Sequence, residues 1–243
     1  KLMLTSKAYR QSGKVEPESY AKDPGNRFLA RGPRYRLDAE VLRDQALAVS
    51  GLLEPRIGGP SVKPYQPAGV WKVVAFAGSN TRDFKADKGD ALYRRSLYTF
   101  WKRTSPPPSM EAFNAPTRES CTLRRERTNT PLQALVLMND PQFVEAARAL
   151  AERAVKMTND DFLRAAWMMR TVLTRPADRA DLQDMISAAA EFRKMFEASP
   201  DTAKALIETG DSEPDATLDQ TDLAAWTMVA NILLNRDDFV NKD

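Results

Sequence analysis

TPLQALVLMNDPQFVEAARALAERAVKM, residues Thr130 to Met157, decides the fold. It contains two helix starts, each written as a capping side chain followed by proline: Thr130 with Pro131, and Asp140 with Pro141. Proline suits the first helical position because its missing N–H would be unbonded there anyway, and the preceding oxygen satisfies a free amide. In the second helix Phe143, Ala147, Leu150 and Ala154 recur at the spacing that places them on one face.

The same punctuation runs toward the C-terminus. Ser199 with Pro200 predicts another start, and Thr217 followed by Gln220 resembles a capping box. The predicted buried stripes are Phe162, Ala166, Met169 and Leu173, then Leu182, Met185, Ala189, Phe192 and Phe196, and finally Leu223, Trp226, Ala230 and Leu233. Successive helices joined by short loops pack as antiparallel neighbours, so residues 130–243 are expected to form a helical bundle.

Upstream, residues 1–129 read as helix plus ordered loop with short strands, packed on the bundle as one composite domain. An opening helix is predicted through about Tyr9, and because Leu2, Met3 and Leu4 look like the inside of a helix already under way, the N-terminus reads as a cut edge. Asp38 is placed to cap a helix whose face carries Leu42, Ala46, Val49 and Leu53. Between Pro55 and Gly69 prolines and glycines forbid regular helix, while Ile57, Val62, Tyr65 and Trp71 predict a loop packed on the body. Tyr93 to Thr104 alternates aromatic and β-favouring residues and is predicted as a strand, with Leu97, Thr99 and Trp101 on one face; Cys121 to Leu123 is read as a second short strand. The expected fold class is mainly α with a small β element in the N-terminal half.

Composition bounds the chemistry. Apolar residues make up 42% and charged residues 28%, the balance of a chain that folds in water. The net charge of +3 conceals a basic middle, with 11 Lys or Arg against 6 Asp or Glu from Arg82 to Arg127, and an acidic tail, with 3 against 10 from Pro200 to Asp243. No run approaches the ~20 apolar residues of a bilayer-spanning helix. These residues include no histidine and a single cysteine, Cys121, so imidazole-based catalysis, covalent haem attachment, histidine-ligated metal and an internal disulfide are outside their reach. Neither nucleotide-type glycine loop is present.

The densest polar run is RESCTLRRERTNTPLQ, Arg118 to Gln133. Arg118, Glu119, Arg124, Arg125, Arg127, Asn129 and Gln133 are its candidate residues: guanidinium forks suit carboxylate, phosphate, sulfate or sugar oxygens, and equally suit tying a loop to helix ends, with the acidic tail as an available partner. Glu111, Glu119, Glu126, Asp140 and Glu145 are the carboxylates nearest to it in sequence. Tyr98, Phe100 and Trp101 beside Arg94, Arg95, Lys102 and Arg103 form a possible base-stacking platform or a half-buried strand, and Asp83, Asp87 and Asp90 make only a weak calcium-loop pattern.

From Arg94 to Arg153 the run RRSLYTFWKRTSPPPSMEAFNAPTRESCTLRRERTNTPLQALVLMNDPQFVEAARALAER resembles the DUF1553, or PSD1, family, best known from planctomycetes and their relatives. The likeness extends to LTSKAYRQS at Leu4, RLDAEVLRDQALAVSGLL at Arg36, GGPSVKPYQP at Gly58 and AAWTMVANILLNRDDF at Ala224. The resemblance implies a C-terminal module of a multidomain protein of the cell envelope or periplasm, following a cytochrome c-like and a DUF1549 domain, sometimes with a carbohydrate-binding domain between. It implies haem c only in that separate domain, no cofactor or metal in this chain, other domains of the same protein as partners, and no catalytic residue to transfer. The family module usually begins further upstream, with a segment containing tryptophan and histidine that does not precede Lys1 here. Three readings stand: a noncatalytic accessory or interaction module, part of a polysaccharide-acting hydrolase or redox enzyme, or a nucleic-acid-binding module. Carbohydrate is a candidate ligand; nucleic acid is the least favoured.

Overall fold

Asp140 caps a helix as its place before Pro141 predicts: its carboxylate accepts from the Gln142 amide at 3.0 Å. Asp160, Asp178 and Asp219 do the same for three later helices. The computed structural model describes residues 1–242. In chain order they form α1 (Leu2–Thr5), α2 (Pro17–Lys22), β1 (Tyr35–Arg36), α3 (Ala39–Ser50), α4 (Val70–Val74) and α5 (Pro108–Glu111). There follow α6 (Pro131–Asn139), α7 (Pro141–Met157), α8 (Asp161–Leu173), α9 (Arg179–Ala198), α10 (Pro200–Ile207), α11 (Gln220–Leu234), α12 (Asp237–Val240) and β2 (Asn241–Lys242). The protein is mainly α, and β1 pairs antiparallel with β2, Tyr35 opposite Lys242. No helix among the described residues is long and apolar enough to cross a membrane.

The bundle is organised around α11, which packs on α7, α9 and α10. Its expected stripe, Leu223, Trp226, Ala230 and Leu233, is buried, and so are Ala224, Ala225, Val229 and Leu234. A helix apolar on most of its circumference belongs in the interior, and Ile232 is the one large apolar side chain of α11 that stays exposed. Alanines at the α7 contact, Ala146, Ala147, Ala151 and Ala154, are fully buried and keep that helix close. From the N-terminal region α3 joins the same core through Ala39, Leu42 and Ala46.

Several local expectations are corrected. Thr130 and Ser199 make no side-chain cap, so proline alone marks those starts. Thr217 bonds to Asp215 at 2.7 Å while Asp219, nearer the first free amides, caps α11 at Asp222 N. The opening helix stops at Thr5, where Ser6 turns extended. On α8 the buried face is Ala165, Met168, Met169 and Val172; Phe162, in the first turn beside the Asp160 cap, points outward. In the proline-rich loop Val62 and Trp71 are buried as expected, but Ile57 is exposed.

The largest correction falls on Tyr93 to Thr104, which is not a strand: the 3-10 helix Gly89–Tyr93 ends at its first residue, Ser96–Tyr98 is a second 3-10 turn, and its only strand-like pairings among the described residues are isolated parallel bridges of Arg94 with Glu54 and of Thr99 with Val62. Buried Arg43, on α3, donates to the carbonyls of Leu92 at 2.6 Å and Arg94 at 2.8 Å, and also to Ser96 Oγ and Gln142 Oε1. Those carbonyls are thereby taken from any ladder, and charge-assisted bonds are the stronger claim on them. Alternation breaks accordingly, with Leu97 72% exposed and Thr99 buried. Cys121 to Leu123 is also not a strand; it is exposed coil. Neither short strand expected in residues 1–129 is found among the described residues; the one strand of that region, β1 at Tyr35–Arg36, lies where none was expected.

Candidate functional site

Arg118 to Thr130 passes α3 without regular structure and leads into α6 at Pro131, held at several points. Arg125 makes a two-pronged ion pair with Glu40, at 2.6 and 3.1 Å, with Asp38 at 3.7 Å. Burial pushes the Glu40 carboxyl up, but the Arg125 hydrogen bond and charge outweigh it and hold it below the usual carboxylate range. Arg118 stacks 4.3 Å from the Trp101 ring centre and Arg127 4.1 Å from that of Tyr35. Asn129 accepts from Arg36 of β1. Buried Gln133 donates to Ala112 O and Thr128 Oγ1, both at 3.1 Å. Arg124 and Glu119 are exposed, as are Glu111 and Glu126.

Among the described residues, no carboxylate of the acidic tail pairs with these arginines. Its carboxylates pair elsewhere: Asp222 with Arg164 and Arg193, Asp215 with Lys156, Asp238 with Arg175. An open groove of about 660 Å³ along α3 sets Asp38, Glu40 and Asp44 against Arg95, Arg118 and Arg125. Asp44 accepts from the Ser96 amide at 2.7 Å, with Arg95 at 3.7 Å. The aromatic platform is likewise covered by its own chain: Arg94 lies 3.9 Å from the centre of Tyr98, Phe100 packs on Trp71, and Trp101 sits under Arg118. Asp83 and Asp87 serve Lys72 Nζ and the Lys63 amide.

Glu145 is the one buried carboxylate among the sequence candidates. Five donors converge on it: Tyr93 Oη at 2.8 Å, Tyr65 Oη at 3.0 Å, the amides of Asp211 and Ser212 at 3.0 and 2.8 Å, and Ser212 Oγ at 2.6 Å. Burial first, then the bond to Glu145, pushes Tyr93 up to about 12, and Tyr65 is raised further by burial and the Glu145 charge. Both phenols therefore stay protonated donors at neutral pH. Buried Arg148 completes the cluster, donating to Ser212 O at 2.8 Å and Glu152 at 3.1 Å. A carboxylate already accepting five bonds is committed to holding the 210–212 turn, and abstracting a proton would require it to give up part of that shell.

Sequence reasoning missed the apolar groove between α5 and α6. It has a volume of about 600 Å³, with Leu132, Leu135 and Val136 on one wall, Pro108 and Ala112 on the other, and Asp140 at its end. Burial raises the Asp140 carboxyl above its ordinary value despite its bonds to Gln142. Gln66, also lining the groove, has a solvent-inaccessible Nε2 with no partner. Leu132, Leu135 and Met138, at 57%, 55% and 47% exposure, form an i, i+3, i+6 row on the outer face of α6. The signal was present in PLQALVLMN, a helix apolar on nearly all sides in which only Gln133 and Leu137 are buried. A convergence of apolar walls with a few polar groups and a perturbed carboxyl is the usual form of a binding site.

A protein-family model described as PSD1, protein of unknown function (DUF1553), matches residues 1–189. No curated protein and no solved structure matches the chain significantly.

Proposed function

The chain belongs to the PSD1 family of proteins of unknown function (DUF1553), and from that premise we propose that it is a noncatalytic interaction module of a multidomain cell-envelope protein, docking another domain of the same protein through the α5–α6 groove. The carrying observation is the exposed Leu132, Leu135 and Met138 row beside that groove. Contiguous apolar surface of this kind on a water-soluble fold marks an interaction site. Haem, where the parent protein carries it, belongs to a separate domain, since one cysteine and no histidine do not fit covalent attachment here.

The groove along α3 is the observation favouring a polysaccharide-acting enzyme, because it gathers three carboxylates and three arginines. A glycosidase acid needs a raised pKa, whereas Glu40 is held low. The interaction reading therefore takes precedence. Its test is calorimetric titration of this chain with the separately produced remainder of its parent protein. Leu135→Asp should weaken the association by at least about tenfold, the scale of one lost apolar anchor, with an unchanged melting temperature. Equal affinity of the variant and the natural chain would overturn the assignment.

A further inference from the structure

We propose that the cavity between β1, α3 and the α8–α9 turn binds a short stretch of acidic polysaccharide, a chain of sugar rings carrying carboxylates. It has a volume of about 1060 Å³, at the upper end for a small-molecule site, and shares no lining residue with the α5–α6 groove. Separate stretches of chain build it. Tyr9, Ser12 and Lys14 come from the segment after α1, and Tyr35 and Lys242 stand opposite each other across the β1–β2 pair. Asp38, Val41 and Gln45 lie along α3, and the α8–α9 turn closes the far side. Thr174 in that turn has φ +56°, a costly conformation for a β-branched residue that only its surroundings can hold in place.

The charges lining the cavity are not matched to one another. Arg175 pairs with Asp238 at 2.7 Å, but Lys14, Arg127 and Lys242 have no carboxylate within ion-pair distance among the described residues. Two of these cations lie over phenol rings: Arg127 is 4.1 Å from the centre of Tyr35, and Lys242 Nζ is 5.4 Å from that of Tyr9. Cations facing a cavity without a counter-charge suit an anionic ligand. Acceptors with capacity to spare stand beside them. Among the described residues Asp38 has only Arg125, at 3.7 Å, and Asp178 spends one oxygen on the Asp181 amide at 2.7 Å. Asn241 commits Nδ2 to Asp237 at 2.6 Å, which leaves its carbonyl oxygen.

The ligand therefore has to bring negative groups to the cations and donors to these oxygens. A sugar acid carries both on one ring, as carboxylate and hydroxyls, and its C–H face suits Leu37, Val41 and the tyrosine rings. A DNA strand brings a charge at every phosphate and no backbone donor to offset Asp38 and Asp178. An acidic peptide brings the charge without the hydroxylated ring. Asp38, Val41 and Gln45 also line the groove that holds Arg95, Arg118 and Arg125, so cavity and groove meet along α3 and more than one sugar ring has a place.

The experiment is amide-resonance titration of the whole ¹⁵N-labelled chain with trimers of galacturonate, glucuronate and mannuronate. Their methyl esters, which keep rings and hydroxyls but lose the charge, are the first controls; triglutamate and hexathymidylate are the others. At least one uronate trimer should shift Ser12, Gln45, Thr174 and Asn241 saturably. Its methyl ester should bind at least about tenfold more weakly, the factor for one lost charge-assisted hydrogen bond. Replacing both lysines, Lys14→Gln with Lys242→Gln, should weaken the acid by a similar factor while leaving the weaker binding of the ester and the melting temperature unchanged. An ester that binds as tightly as its acid, or a double variant that binds the acid as tightly as the natural chain, overturns the proposal. Triglutamate or hexathymidylate binding more tightly than every uronate overturns it in favour of an acidic peptide or a nucleic acid. So does the absence of a saturable shift from all three uronates at about 5 mM, where even weak contacts register. Each of these outcomes leaves the α5–α6 docking reading standing.

Discussion

Single side chains carry much of this fold because its loops lack ladders of their own. Arg94 is fully buried, has no acidic partner among the described residues, and holds the Gly58–Pro60 turn through the carbonyls of Pro60 at 3.0 Å, Arg56 at 3.2 Å and Gly58. Glu145 does the corresponding work for the turn at Gly210, whose φ is +104° and where an added Cβ would stand 2.3 Å from Glu145 Cδ. Gly210→Ala should therefore cost more than Gly78→Ala, which shares a positive φ but has nothing within 4 Å. The expected losses are about 3 kcal/mol against about 1 kcal/mol, read by urea denaturation. Equal costs would show that the Glu145 contact constrains nothing. Arg125→Ala should lower stability by about 1 kcal/mol, discounted for an ion pair that is only partly shielded, and the difference should shrink in 1 M salt, where the Debye length is about 3 Å. An unchanged melting temperature would remove the structural role of that arginine.

Among elements, the decisive joint is the one linking α8, α9 and α11. Arg193 of α9 bonds Asp161 of α8 through both terminal nitrogens at 2.7 Å and Asp222 of α11 at 2.7 Å. Arg164 reaches Asp222 from α8, also at 2.7 Å. The Arg193 hydrogen bond, with its charge, holds Asp161 below the usual carboxylate range against the opposing effect of burial. A depressed carboxyl contributes stability that is present above its unfolded pKa and disappears as pH falls through the folded value. Arg193→Met should cost about 2–3 kcal/mol at pH 7 by leaving two part-buried carboxylates short of a partner. It should also flatten the loss of stability as pH falls below about 4, the ordinary aspartate range. Thermal denaturation across pH checks both, and a variant with the same acid limb as the natural protein would contradict the linkage.

Across the whole molecule, two modes of stabilisation meet at α3. The bundle buries apolar stripes, whereas the loop-rich region hangs on buried guanidiniums whose bonds run to backbone carbonyls. Burial lowers Arg43 to about 10, which still leaves it charged at neutral pH. Arg43→Leu should cost about 2–4 kcal/mol, because the carbonyls it serves would be left dry and unbonded. The loss should be uneven. Hydrogen exchange is expected to accelerate at residues 54–62 and 92–100 while amides of α7 and α11 keep their protection. Uniform acceleration throughout would mean that loops and bundle open as one unit.

The amino-acid order alone determined that residues 130–242 are mainly helical and where α6, α7 and α10 begin, since a proline-marked start and apolar periodicity are local properties of the chain. Phe143, Ala147, Leu150 and Ala154 were legible as one face before any coordinate, and the Asp140 cap was too. The path of Tyr93 to Thr104 was not legible, because its strand-like alternation lost to Arg43, some fifty residues away in the chain. The candidate groove was hidden for a related reason: that Leu132 and Leu135 stay outside while Leu137 goes inside depends on which neighbours arrive to cover α6. Periodicity reports which residues share a side. Only the packed chain decides which side faces water, because burial is a property of the partner as much as of the helix.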